Sequence, residues 1–330
     1  MIRKSRKIAG YLLVWILFLT TSVAESKWIR IDTGVRVPIT DLCFVDNNTG
    51  WAVGWAGIIL HTTNGGNTWV RQYANLGKTS ADFYGVSFVD KNTGWIVGTH
   101  NVVLKTVTGG LTWIKQDIGL KPVRVGPILR DYDFFAVHFV DRNNGWIAGF
   151  FGRIILHTEN GGLTWEAQKT GDKNALWGLH FIDNNNGWAV GSNGTILHTK
   201  TGGKNRYLLF KGWEKQGSER YGDLHGVFFI NENIGWAVGR KEALMTVDGG
   251  KNWNIKKMNI KAYALKNVYF INELEGWIVG WGGIFHTTDG GKSWQPELMG
   301  REYDLIKVFF IDRNNGWVTG GYGKIFRYMR

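Results

Sequence analysis

Residues 42–69 read LCFVDNNTGWAVGWAGIILHTTNGGNTW. An apolar run enters an Asp/Asn turn that opens into Gly50-Trp51, and a second apolar run ends at Gly65-Gly66, shortly before Trp69. The same punctuation returns along the chain. Gly-Trp recurs at Trp51, Trp95, Trp146, Trp188, Trp236, Trp277 and Trp317, at spacings of 40 to 51 residues. The preceding turns are FVDNNTGW, FVDKNTGW, FVDRNNGW, FIDNNNGW, FINENIGW, FINELEGW and FIDRNNGW. Six of the seven units also carry the second element: TTNGGNTW, TVTGGLTW, TENGGLTW, TKTGGKN with a late Trp213, TVDGGKNW and TTDGGKSW.

Each repeat therefore reads as four short strands joined by Asn/Gly turns, in the first repeat ITDLCFV, GWAVG, GIILHT and NTWVRQ. Antiparallel four-stranded units with a period near 40–45 residues are propeller blades. The seventh repeat lacks its outer strand, because the chain stops at KIFRYMR. Trp28, in SKWIRI, supplies it. It lies 23 residues before Trp51, and the outer-strand tryptophans of most other repeats precede the next Gly-Trp by the same 23 or 24. The expectation is an all-β fold, a single seven-bladed β-propeller over 27–330. Its ring closes when the segment around Trp28 pairs with the C-terminal blade, at the segment around Tyr322. The innermost strands, such as AVHFV and KVFFI, are apolar on both faces, as strands sandwiched between neighbouring blades should be.

Residues 1–24, MIRKSRKIAGYLLVWILFLTTSVA, have a basic start, an apolar run from Ile8 to Leu19 and small residues at Ser22 and Ala24. That is the pattern of a secretory signal peptide, and the run is shorter than the ~20 residues of a spanning helix. The expected location is periplasmic or extracellular, with an uncleaved N-terminal anchor as the alternative. The lone cysteine, Cys43, excludes an intramolecular disulfide and a Cys-based zinc site, and its apolar surroundings mark it as a small core residue.

The chain holds 39 Lys+Arg against 27 Asp+Glu, a net charge of +12. Four of the positives lie in the first seven residues, so the remainder carries +8. A basic surface suits acidic partners or anionic membranes, while export argues against nucleic acid. With 46 Gly and 18 Trp but only 4 Pro, the composition fits tight turns and buried aromatics and excludes collagen-like or linker sequence.

The pattern T-x-(D/N/T)-x-G-x-x-W is similar to the Asp-box, or BNR repeat. The longer unit F-x-D-x-x-x-G-W-x-V-G, followed by the Gly-Gly element, resembles the photosystem II stability/assembly factor family over nearly the whole chain past the leader. The resemblance implies an exported, non-catalytic chaperone. In photosynthetic hosts it would bind a newly made reaction-centre subunit in the periplasm or thylakoid lumen. Thr108 and Thr201 replace the usual Asp/Asn, and Trp213 is displaced.

Four histidines recur at one repeat position, His61, His157, His198 and His286, but the other repeats place Lys105, Met245 and Arg327 there. A position that accepts those residues is structural, so neither a metal nor a cofactor is expected. The box residues Asn64, Asn160, Asp248 and Asp289 are spread around the ring and read as turn stabilisers. A glycoside hydrolase needs two carboxylates flanking one bond, and the loop acids Asp131, Asp133, Asp223, Glu302 and Asp304 form no recognisable set. A carbohydrate-binding or glycosidase-like propeller is the alternative reading. The loops of one face gather Trp55, His100, Arg124, Arg130, Tyr132, Phe150, Phe151, Trp177, Arg240, Trp281 and Tyr322. Aromatics with arginine favour a protein contact. The expected partner is a protein or peptide segment, such as a membrane-protein assembly intermediate, bound by a monomer.

Overall fold

The computed structural model describes residues 27–329 except 78, 126, 151–153, 206–211, 218–220, 241, 257 and 259–263, and omits the side chains of 27, 123, 125, 150 and 154. The leader expected over 1–24 therefore lies outside the described residues. The first repeat folds as Ile39–Phe44, Gly50–Gly54, Ile58–Thr62 and Val70–Gln72, paired in that order, all antiparallel. Among the described residues there are five such four-stranded sheets, one six-stranded sheet and a separate two-stranded hairpin, Val123–Val125 with Ile128–Arg130. The inner strands neighbour one another in chain order, and the last, within Gln295–Asp312, returns to the first. The fold is an all-β propeller.

A repeated aromatic stack explains why the motif folds this way. The Gly before each conserved Trp leaves room for the Phe ring of its own inner strand. A Cβ at Gly50, Gly145 or Gly316 would lie closer than 3.0 Å to that ring. The ring's other side is covered by the Gly-Trp tryptophan of the preceding repeat. Phe88 stacks on Trp51 at 3.5 Å, Phe229 on Trp188 at 3.4 Å and Phe44 on Trp317 at 3.6 Å. The outer-strand Trp then meets the Phe edge-on, as in Trp113–Phe88 at 5.8 Å and 90°. All seven Gly-Trp tryptophans are fully buried. Each stacked pair adds about 0.5–1.5 kcal/mol beyond its area burial. Most of these indoles also donate Nε1–H to a carbonyl of the next Gly-Gly turn: Trp51 to Gly109, Trp95 to Gly161, Trp146 to Gly202, Trp188 to Gly249 and Trp317 to Gly65. The motif is thus a device for joining blades as well as for building one.

The ring closes through the N-terminal strand. Lys27–Ile31 pairs antiparallel with Ile325–Met329, Trp28 opposite Tyr328. Closure thus falls six residues beyond Tyr322, which sits in the preceding turn with φ 58°. Trp28 meets Phe310 edge-on at 5.9 Å and 85°, the geometry of every other outer-strand Trp. The closing unit has no Gly-Gly turn, so Trp277 lacks the carbonyl its counterparts use. Glu297 replaces it, accepting from Trp277 Nε1 at 3.2 Å and Trp28 Nε1 at 2.7 Å. Its other oxygen meets His286 Nδ1 at 2.9 Å. On the far side of the imidazole Glu275 lies 3.5 Å from Nε2 and pairs with Arg313 at 2.9 Å.

Inner-strand side chains line the axis. His138, His180, Phe228, Tyr269 and Phe309 follow one another around it at ring separations of 4.7–5.5 Å. Burial, reinforced by the Lys307 ammonium, pushes His138 down to about 4. Cys43 shares this layer. It is half-buried and its Sγ lies 3.8 Å from the Phe88 carbonyl, and burial raises the thiol to about 11. Lys307 pairs with Asp41 at 3.0 Å, and Asp41 also accepts from Val86 N–H, tying adjacent inner strands together.

Candidate functional site

Strand direction alternates within a blade, so the turn after each Gly-Trp strand and the chain leading into each inner strand meet on one face, here called the upper face. Backbone hydrogen bonds join the two. Trp55 N donates to Pro38 O, Thr99 N to Asp82 O, Ser192 N to Ala175 O, Arg240 N to Asp223 O and Gly321 N to Asp304 O, all at 2.9–3.1 Å. The glycine ending each Gly-Trp strand permits this approach. At Gly191 a Cβ would overlap the Ala175 carbonyl.

Ala56, His100, Asn101, Asn193 and Tyr322 have φ between 53° and 59°, and all lie in these turns. Non-glycine residues pay roughly 1–2 kcal/mol for that conformation. Carboxylates of the following blade hold several of them. Asp82 accepts from Ala56 N–H at 2.8 Å, Asp133 from His100 N–H at 3.2 Å and Asp223 from Asn193 N–H at 3.1 Å. Asp131 accepts from Asn101 Nδ2 at 2.8 Å. Of the loop acids weighed as glycosidase candidates, Asp131 and Asp133 together brace the turn at His100 and Asn101, and Asp223 braces the one at Asn193. The Asp that precedes an inner strand in four repeats was the sequence signal for this.

The nominated side chains separate into groups. Trp55, Trp281 and Tyr322 stand out from three successive repeats around the seam, 44%, 48% and 75% exposed. Trp281 Nε1 donates to Arg301 O, and Lys324 Nζ lies between the Tyr303 and Tyr322 rings, 5.6 and 5.8 Å from their centres. Arg124 and Arg130 are exposed on the separate hairpin, and His100 and Arg240 are exposed in their turns. Trp177 is half-buried at the mouth of the axis, stacked on His225 at 5.1 Å. Tyr132 does not join the exposed set. It packs in the core with Trp95 and Phe134, because the Asn101 side chain captures its backbone N–H and turns the ring inward. Phe150 ends a strand opposite Asp133, with its side chain outside the described residues, as is all of Phe151.

The opposite, lower face carries the first turns and the Gly-Gly turns. In each box the Thr hydroxyl accepts from the second Gly N–H, as Thr62 does from Gly66 at 2.9 Å, and the Asn/Asp carbonyl or carboxylate accepts four residues on, as Asn64 does from Thr68 N. Asn160, Asp248 and Asp289 repeat this bond. The Ser293 hydroxyl and N–H bring Asp289 to about 2. At Asp46 burial opposes the charge, but Lys91 and the N–H groups of Asn48 and Thr49 outweigh it and bring the carboxyl to about 2. Donors likewise outweigh burial at Asp90, Asp141, Asp183 and Asp312, which stay below the usual range. The recurrent histidines lie flat on the buried Trp faces, His61 on Trp51 at 4.9 Å, His157 on Trp146 at 4.6 Å, His198 on Trp188 at 4.5 Å and His286 on Trp277 at 4.4 Å. Lys105 takes the same place over Trp95. Among the described residues no group of three or more His, Cys, Asp or Glu is placed to hold a metal ion. None of their helices is long and apolar enough to cross a membrane.

A closed ring of Gly-Trp units, its lower turns tied by Asp-boxes and its upper face left to aromatic and basic side chains, defines an Asp-box propeller. Sequence comparison narrows the class. Residues 20–122, 70–173 and 207–302 match the family described as photosynthesis system II assembly factor YCF48, and the chain belongs to that family. A curated relative, the photosystem II assembly lipoprotein Ycf48 of Picosynechococcus sp., is 33% identical over 67 residues, a match spanning 20% of either chain. Among solved structures, YCF48 from Cyanidioschyzon merolae superposes with a TM-score of 0.73 at 21% identity, covering 92% of this chain and 98% of its own. A structure described as YCF48 bound to D1 peptide gives 0.72 at 21% identity, covering 92% and 95%.

Proposed function

We propose that this chain is an exported, non-catalytic assembly factor that holds a polypeptide segment on the upper face of a single seven-bladed ring spanning 27–330. Counting the six-stranded sheet as two blades gives seven, because it contains two Gly-Trp strands and the long strand Gln295–Asp312 serves both. Family membership supports the assembly role, and the D1 peptide seen on a related propeller supports a membrane-protein segment as cargo. In a photosynthetic host that cargo is a photosystem II subunit. The observation that carries the reading is the arc of Trp55, Tyr322 and Trp281. Large exposed aromatics on adjacent blades, held by backbone turns, are a pre-organised contact surface. The loop acids support a non-catalytic role, since Asp131, Asp133 and Asp223 are engaged in bracing turns.

The test is titration of a D1 peptide against the wild type and the combined variant Trp55→Ala, Trp281→Ala and Tyr322→Ala. Affinity should fall about tenfold or more with the urea midpoint nearly unchanged. Undiminished binding by the variant refutes the site, and failure of the wild type to bind refutes the cargo.

A further inference from the structure

Among the described residues the hairpin Val123–Val125/Ile128–Arg130 forms a sheet of its own, and a two-stranded hairpin alone in water is marginal. It nevertheless exposes Ile128 and Leu129, 53% and 65%, close to its tip. The segment 121–130 carries Lys121, Arg124 and Arg130 and no acid. It rises from the upper face, where Asn101 grips its base through the Tyr132 backbone and Asp131.

We propose that this hairpin seats the propeller on an anionic lipid bilayer, with Ile128 and Leu129 entering the headgroup region and the two arginines facing lipid phosphates. This goes beyond the polypeptide reading, which rests on the aromatic arc across the ring. Two observations select this occupant and this orientation. An apolar tip with Lys121, Arg124 and Arg130 around it, and the nearest acid, Asp131, held at the base by Asn101, matches the apolar–anionic boundary of such a membrane. The lower face also exposes aliphatics, Leu111 and Leu163, but singly, in the Gly-Gly turns of different repeats. The hairpin therefore marks the membrane-facing side of the disc. Exposed Trp55 and Trp281 on the same side suit the interfacial zone.

The test uses the full chain with an environment-sensitive thiol dye at Leu129→Cys, and a second preparation labelled at Leu163→Cys. Both preparations also carry Cys43→Ser, so that the introduced thiol is the only one. Each is mixed with phosphatidylcholine vesicles, with or without about one-third phosphatidylglycerol. The dye at 129 should shift to the blue on the anionic vesicles and much less on the neutral ones, while the dye at 163 stays unchanged. Charge reversal, Arg124→Glu with Arg130→Glu, should raise the lipid concentration for half the shift about tenfold or more. A bare N-terminal anchorage leaves both dyes in water. No shift at 129, equal shifts at both positions, equal shifts on both vesicle types or no effect of charge reversal would each overturn the proposal.

Discussion

Replacing Glu297 tests how the ring is fastened. In five repeats a Gly-Gly carbonyl receives the indole N–H of the preceding Gly-Trp. At the seam Glu297 receives two indoles, Trp28 and Trp277, and also contacts His286. Trp277 is fully buried and Trp28 is 8% exposed, so Glu297→Ala strands two donors away from water. Each stranded donor costs about 1–3 kcal/mol, which sets the expected loss at roughly 3 kcal/mol. Glu297→Gln keeps an oxygen within reach of both indoles and should cost about 1 kcal/mol. The assay is urea unfolding at pH 7, with Gln295→Ala, an exposed neighbour on the same strand, as the control. Combining Glu297→Ala with Trp28→Phe should give less than the sum of the single effects, because they remove a shared bond. If Ala costs under about 0.5 kcal/mol, or Gln costs as much as Ala, Glu297 does not stand in for the missing carbonyl.

The buried histidines make stability acid-sensitive in a defined window. Burial pushes His157 and His198 to about 4, while the unfolded chain protonates near the ordinary 6.5. Their stabilisation is whole above pH 6.5 and is lost as pH falls towards 4, at up to about 1.4 kcal/mol per unit for each histidine. Urea midpoints at pH 7 and 4.5 should show the loss, and His157→Lys should reduce it. Asp46 and Asp289, at about 2, keep their contribution through that window and lose it only below. Lys105→His should be neutral or stabilise by up to about 1 kcal/mol in the same unfolding assay, since an imidazole stacks on Trp in four repeats and avoids burying an ammonium. Gly191→Ala should cost about 2 kcal/mol or more, because its Cβ would meet the Ala175 carbonyl rather than a movable side chain. An unchanged midpoint would contradict that packing.

The architecture was legible because one motif does several physical jobs at a fixed spacing. Gly makes room, Phe fills it, Trp covers it, and the copies repeat. Even the place of Trp28 could be read from its distance to Trp51. Glu297 and Glu275 were not legible, since their role arises from the one place where the repeat is interrupted and no counterpart exists for comparison. The upper face was legible as a set of loops but not in its detail. Tyr132 and Tyr322 are both loop tyrosines, yet the Tyr132 backbone N–H is held by Asn101 Oδ1 with its ring buried, while the Tyr322 ring stays open. Asp133 and Asp223 looked like candidate acids because the Asp leading into the inner strand recurs in only four repeats, too irregularly to read as part of the motif.

The pairing of Trp28 with Tyr328 has a consequence for the order of events during synthesis. The strand that completes the sheet is made first, and the strand it must join is made last. Until Ile325–Met329 has been made, Lys27–Ile31 presents a raw main-chain edge that other chains could occupy. Fastening therefore waits for synthesis of Ile325–Met329. It also spans almost the full contour of the chain, the kind of contact that folds slowly. A cell making this protein must keep its earliest-emerging residues from pairing elsewhere while the later blades assemble.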